Sequence, residues 1–265
     1  MIFYCYFCTM ELKIMGILNC TPDSFFAGSR VQTEYDIARR AEQILREGGD
    51  IIDIGAYSTR PGATEVSEEE EMRRLRMALG IIRRNHADAV LSVDTFRASV
   101  ARMAAEDYGV QIINDVSEGA DPKMFSEVAR LGGTYILMSV EPTMKKIIER
   151  FNHEVETLNS LGCHDIILDP GFGFGKDVVR GNYEVLRQLP ELHAAFPNLS
   201  LLAGMSRKRM AWMPLGCTPE SDAALNATTI LNTMAVCGGA DILRVHDVAV
   251  ADSLRPIFSA SSCSR

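Results

Sequence analysis

The sequence predicts an α/β protein folded as a single closed (β/α)8 barrel, and three observations predict it. Eight short apolar runs alternate with eight amphipathic helical patterns, the 265 residues suit one such barrel, and no Pro-, Gly- or Ser-rich linker divides the chain. An open doubly wound sheet is the runner-up. Two small domains would need a break in composition that the chain lacks.

The strands are expected at 13–18, 50–55, 89–93, 110–113, 134–138, 165–168, 199–205 and 241–245. These runs are near-continuously apolar, as parallel strands buried on both faces must be. Helical periodicity fills the intervals, at 34–47, 67–85, 97–108, 121–131, 143–161, 179–194, 222–237 and 249–259. Ser67 followed by Glu68, Glu69, Glu70 and Glu71 puts acid at a helix start, where it complements the macrodipole. Gly48-Gly49 and Gly238-Gly239 are stops before the second and eighth strands. The barrel is expected over 10–265, with residues 1–9 a dispensable tail ahead of Met10.

A formal charge of −8 argues against a nucleic-acid partner, which requires a basic face. No apolar run reaches the ~18 residues that span a bilayer, and the opening segment lacks the basic n-region of a signal peptide. The seven cysteines are odd in number and irregular in spacing, so they read as reduced thiols of a cytoplasmic protein.

In such a barrel the chemistry sits where the strands end and the following loops converge. The first end carries Asn19, Thr21, Asp23 and Ser24; the second carries Asp53, then Tyr57 to Gly62. Asp94, Asn114 with Asp115, and Ser139 follow the third, fourth and fifth. Asp169 and the run Gly171–Lys176 follow the sixth, Ser206 to Arg209 the seventh, and Arg244, His246 and Asp247 mark the eighth. Singly these are explicable as helix caps and tight turns. Arg244 is different, because a guanidinium inside an apolar strand needs an anion. Together they describe a mouth for a ligand with a polar heterocycle and an anionic group.

The loop sequences are more specific than their chemistry. Met15-Gly-Ile-Leu-Asn-Cys-Thr-Pro-Asp-Ser-Phe25 and Asp50-Ile-Ile-Asp-Ile-Gly-Ala-Tyr-Ser-Thr-Arg-Pro-Gly-Ala63 resemble the two signatures of the dihydropteroate synthase family of pterin-binding TIM barrels. Ser92-Val-Asp-Thr95, Ile113-Asn-Asp115, Asp169-Pro-Gly-Phe-Gly-Phe-Gly-Lys176, Ser206-Arg-Lys208 and Arg244-Val-His-Asp247 follow in the family's order, so the resemblance spans residues 13 to about 258.

The resemblance implies condensation of 6-hydroxymethyl-7,8-dihydropterin pyrophosphate with para-aminobenzoate in folate biosynthesis. By position it implies that Asp94, Asn114, Asp169 and Lys208 hold the pterin, with Met138 and Phe174 against its rings. It implies Mg2+ at Asn19, a pyrophosphate clamp of Arg60, Arg244 and His246, and a loop of Thr59, Arg60 and Pro61 beside the para-aminobenzoate. Asp94, Lys208 and Arg60 are the expected catalytic residues, in a substitution that needs no covalent nucleophile. A homodimer through late helices such as 222–237 is implied as well.

Four departures stand out. Ala56-Tyr57 replaces the usual Gly-Glu before Ser-Thr-Arg-Pro, losing an acid. Ser139 replaces a His, in a segment that looks shortened by on the order of ten residues. Asp177 after the Gly-rich run reads as a helix cap. Arg209 stands where the family has Ser beside the benzoate carboxylate, and it either pairs with that carboxylate, crowds the pocket or points away. Two rival readings are a methyltetrahydrofolate-dependent methyltransferase, which would not need the Ser-Thr-Arg-Pro loop, and a pterin-binding paralogue without turnover.

Overall fold

The computed structural model describes residues 12–20, 34–57 and 65–262. Eight parallel strands close into one barrel in chain order. They are β1 (Lys13–Asn19), β2 (Ile51–Gly55), β3 (Val90–Asp94), β4 (Ile112–Asp115), β5 (Thr134–Met138), β6 (Ile166–Asp169), β7 (Ser200–Ala203) and β8 (Ile242–Val245). The helices around them are α1 (Glu34–Arg46), α2 (Glu68–Asn85), α3 (Ala98–Tyr108), α4 (Met124–Leu131), α5 (Met144–Ser160), α6 (Arg180–Arg187), α7 (Leu189–Ala195), α8 (Arg209–Trp212), α9 (Asp222–Cys237), α10 (Val248–Asp252) and α11 (Leu254–Ser262).

All eight expected strands form. The helices differ in four places. The stretch 179–194 is two helices, because Pro190 would cost a continuous helix a hydrogen bond and a clash, whereas near the start of α7 its missing N–H is harmless. The last stretch likewise breaks at Ser253, three residues before Pro256. Helix α4 starts later than expected because Asp121 is occupied in the preceding turn, accepting from the N–H groups of Ala98 and Lys123. Short α8 and the 3-10 turn Met213–Leu215 lack enough periods to announce themselves in sequence.

The N-terminal rim repeats one device. A polar side chain just before each even-numbered strand caps the start of the odd strand beside it. Asp50 Oδ2 accepts from Ile14 N at 2.7 Å, Gln111 Oε1 from Leu91 N at 3.0 Å, Asp241 Oδ2 from Leu201 N at 2.7 Å, and Asp165 Oδ2 from Thr134 Oγ1 at 2.5 Å. These bonds satisfy groups the barrel would otherwise leave at its closed end. Above them Met15, Ile51, Ile112, Ile136, Ile167, Leu202 and Ile242 plug the barrel's interior. The strands' outward faces meet the helices in a second, larger apolar core. Side chains alternate along each strand, so the residues two places on from the plug, Asp53, Asn114 and Arg244 among them, line the interior toward the mouth. The plug is dry. The layer above it is charged.

Candidate active site

At the centre of that layer is Asp53, fully buried in the middle of β2. It accepts from Ser92 Oγ at 2.6 Å, Arg244 Nε at 2.6 Å and Asn114 Nδ2 at 3.3 Å. Arg244 Nη2 also reaches Asp94 Oδ2 at 2.8 Å. The anion that a guanidinium inside the strand requires is therefore supplied by the protein, as two carboxylates. This leaves only Arg244 Nη1 uncommitted among the described residues, which narrows its expected part in a pyrophosphate clamp.

The charges shift one another. Burial pushes the Asp94 carboxyl up to about 7, against the pull of Arg244 and with help from Asp53, Glu71 and Asp115. Burial also opposes the Arg244 cation, but Asp53 and Asp94 outweigh it and hold the guanidinium above its ordinary value. Asn114 sits beside them with its Oδ1 buried and without a hydrogen-bond partner among the described residues. Such an acceptor is expensive to leave empty.

The opposite wall comes from β6 and β7. Asp169 ends β6 and accepts from Gly171 N at 2.8 Å; burial raises its carboxyl, opposed mainly by Lys208. Lys208 donates to Phe172 O and holds its ammonium 4.9 Å from the Phe174 ring centroid. Burial brings the Lys208 amine down to about 8, resisted by Asp169. Met138, at the end of β5, is fully buried and Phe174 half-buried.

The Gly-rich run is shaped by its neighbour. A Cβ on Gly171 would lie 2.0 Å from Ser139 O, and one on Gly175 would lie 1.7 Å from Val140 O. Both glycines also have positive φ, at 72° and 60°. Lys176, buried beneath, donates to the carbonyls of Ser139, Gly171 and Phe174 at 3.3, 3.1 and 3.2 Å. Glu118, itself at φ 56°, accepts from Ser139 Oγ and Val140 N at 2.8 Å each. Ser139, the departure from the family's His, thus binds the segments after β4, β5 and β6 into one wall.

Asn19 ends β1, half-buried. Gly55 on the adjoining strand leaves open the space beside it, where a Cβ would stand 3.3 Å from Asn19 Oδ1 and 3.9 Å from Asp94 Oδ2. His246 follows β8, its backbone N donating to Ser206 Oγ at 3.1 Å. Buried Arg40 ties this corner together, donating to Ile17 O at 3.2 Å and to His246 O at 2.7 Å. Arg207 pairs with Asp247 at 2.7 Å and donates to Pro219 O, which makes it a brace. Asp177 lies two residues before the N-cap position of α6, Val179, and accepts from Val179 N at 3.2 Å and Arg180 N at 2.7 Å in the turn that leads into the helix.

Arg209 is the first residue of α8, exposed and without an ion pair among the described residues. Thr59, Arg60 and Pro61 lie outside the described residues. At their approach, Tyr57 packs edge-on against Phe96 with centroids 5.0 Å apart, and the Arg97 guanidinium covers both rings. The acid lost at position 57 is thus an aromatic contact here.

The structure therefore gathers Asn19, Asp94, Asn114, Met138, Asp169, Phe174, Lys208, Arg244 and His246 at one end of the barrel. Sequence reasoning overlooked Glu118, and it placed Asp53 and Lys176 at the strand ends without giving either a role. Asp53 carried a usable signal: an acid two residues inside an apolar strand cannot be the cap of the next helix.

A family model described as pterin binding enzyme matches residues 15–246. The dihydropteroate synthase of Escherichia coli (strain K12) is 36% identical over 250 residues, covering 89% of this chain and 86% of that protein. The folic acid synthesis protein of Pneumocystis carinii is 37% identical over 254 residues, but this chain spans only 34% of that longer protein. A solved structure of Yersinia pestis dihydropteroate synthase in a sulfonamide drug complex superposes with a TM-score of 0.87 at 34% identity, covering 96% of this chain and 95% of that one.

Proposed function

The chain belongs to the pterin-binding enzyme family, and from that premise we propose that it condenses 6-hydroxymethyl-7,8-dihydropterin pyrophosphate with para-aminobenzoate, giving 7,8-dihydropteroate and pyrophosphate. The observation that carries this reading is the polar pit of Asp94, Asn114, Asp169 and Lys208, with Asn114 Oδ1 buried and waiting for a donor. Asp169 accepts from the pterin's amino group and ring N–H, Lys208 donates to its acceptor edge, and Met138 and Phe174 pack on the ring system.

The pterin methylene exchanges its bond to pyrophosphate oxygen for one to the arylamine nitrogen, which then releases a proton. As the old bond stretches, positive charge grows on the pterin. Asp94 lies where it offsets that charge, in surroundings that already hold it against Arg244. His246 and Arg60, with the remaining nitrogen of Arg244, receive the pyrophosphate. Arg209 faces the benzoate carboxylate, and the family resemblance assigns Thr59 and Pro61 to the same substrate.

Mg2+ fits beside Asn19. Among the described residues no group of three or more His, Cys, Asp or Glu could hold a metal ion. One amide oxygen at an open corner suits an ion that keeps waters and takes its other ligands from substrate phosphates. Bound there, it would neutralise charge on the leaving group.

The protein also acts as a homodimer through α9. That 16-residue helix carries a single charged side chain, Asp222, and exposes Ile230 and Met234. No helix among the described residues is long and apolar enough to cross a membrane. Cys20, Cys163, Cys217 and Cys237 are free thiols, in keeping with a cytoplasmic protein.

An assay of pyrophosphate release tests the whole reading. Release should require para-aminobenzoate and Mg2+ together. Full turnover in excess chelator would remove the metal from the account, and release indifferent to the amine would remove the condensation.

A further inference from the structure

Asp53 touches no substrate in the reading above, yet it has more partners in the pit than any residue that does. We propose that Asp53 is a positioning residue for pterin recognition, turning the Asn114 amide so that its oxygen faces the ligand and holding Arg244 against Asp94.

The argument begins with what a carboxylate can do. It accepts hydrogen bonds and donates none. Asn114 can therefore meet Asp53 only through its amide nitrogen, and Nδ2 does lie 3.4 and 3.3 Å from the two carboxylate oxygens. The oxygen of the same amide is forced to the other side, where it is buried and unpartnered among the described residues. That side must receive a ligand N–H. An amide free to turn over would offer a donor half the time, and a donor repels an N–H.

The second arm runs through Arg244. Asp53 binds Nε, which fixes the plane of the guanidinium and aims Nη2 at Asp94. Ser92 Oγ, at 2.6 Å, anchors the carboxylate from the next strand. Gly55, two residues on and on the same face of β2, carries no side chain, so that strand puts nothing between this cluster and the mouth. One carboxylate thus fixes an acceptor toward the pterin and a cation toward the residue that answers its developing charge.

The inference rests on the proposed pterin activity, and the experiment separates the two. Calorimetry with 6-hydroxymethylpterin compares the unaltered protein with Asp53→Asn, alongside KM values for both substrates. Asp53→Asn keeps the shape but can present a donor to Asn114. It should weaken pterin binding and raise the pterin pyrophosphate KM on the order of tenfold or more, while the para-aminobenzoate KM stays within about twofold. In an Asn114→Ala background the same change should lose much less, because the two residues act as one unit. Ser92→Ala, which only loosens Asp53, should move pterin affinity in the same direction by a smaller factor.

Unchanged pterin affinity and KM in Asp53→Asn, in a protein that binds pterin normally before the change, would overturn the inference. So would an equal rise in both KM values, the mark of general damage to the barrel. Failure of the unaltered protein to bind pterin would refute the functional reading itself, and the role of Asp53 with it.

Discussion

Arg244 and Asp94 meet across the barrel interior, from β8 to β3, with Nη2 2.8 Å from Oδ2. A half-buried guanidinium and a half-buried carboxylate are each costly alone, and together they define a site whose charge is nearly balanced before any substrate arrives. The balance is incomplete. Asp53 and Asp169 add two carboxylates to the same interior, while Lys208 adds one ammonium. A site poised in this way answers a growing cation without reorganising.

The first prediction concerns pH. Burial lifts Asp94 from 3.8 to about 7, so the folded protein retains this proton where the unfolded chain has lost it. The sign follows: this group's contribution to stability is present below the unfolded value and is lost as pH rises through about 7. Activity should run the other way, kcat/KM rising over the same window as the carboxylate forms. Arg244→Met removes the charge that holds the value down, so the acid limb should move to higher pH. A limb that stays in place in that variant would dissociate Asp94 from it.

The second prediction is that Asp169→Asn weakens pterin binding sharply while the barrel survives. An amide cannot accept from both donors of the pterin edge, and the mismatch costs roughly 2–5 kcal/mol. The backbone bond from Gly171 N can persist to the amide oxygen, so the turn should hold. Calorimetry checks the affinity and thermal unfolding checks the fold. Pterin affinity equal to that of the parent would exclude Asp169 from the pterin edge.

A third prediction contrasts two glycines of similar backbone. Gly109, at φ 61° after α3, has nothing within 4 Å of its missing Cβ, whereas the Cβ of an alanine at 175 would meet Val140 O at 1.7 Å. Gly109→Ala should cost the left-handed conformation alone, about 1 kcal/mol. Gly175→Ala must push the wall after β5 away from that after β6, at a cost on the order of 3 kcal/mol, with weaker pterin binding as well. Comparable stabilities for the two variants would mean that the wall is not closely packed.

The strands and their order were legible because buried parallel strands are largely apolar, and because β1, β3, β4 and β6 end at the polar residues Asn19, Asp94, Asp115 and Asp169. Helix ends were less so. Pro190 divides α6 from α7 for a reason visible in the sequence, but its tolerance at either end of a helix left the position of the break open. At the site, Asp94, Asn114 and Asp169 were readable as strand ends. Arg244 was readable as a misplaced charge, but its partners were not, since Asp53 lies 191 residues away in the chain. Lys176 looked like the end of a Gly-rich motif; only the fold shows three carbonyls converging on it.

The last prediction concerns Arg209, which directly follows Lys208 and begins α8. Lys208 turns inward, over Phe174 and toward Asp169, whereas Arg209 is exposed and makes no ion pair among the described residues. Consecutive residues that diverge in this way put one cation in the pit and the next outside it. On the proposed reading, a para-aminobenzoate whose amine reaches the pterin methylene extends its carboxylate outward, toward this guanidinium. Pairing of two partly solvated charges is weak, so Arg209→Ser should raise the KM for para-aminobenzoate only about fivefold. The KM for the pterin pyrophosphate should barely change, because its contacts lie deeper in the barrel. Added salt should narrow the difference between the parent and the variant, since an exposed pair is screened. An amine KM that is unaffected by the substitution would turn Arg209 away from the substrate, and one that falls would make it an obstruction.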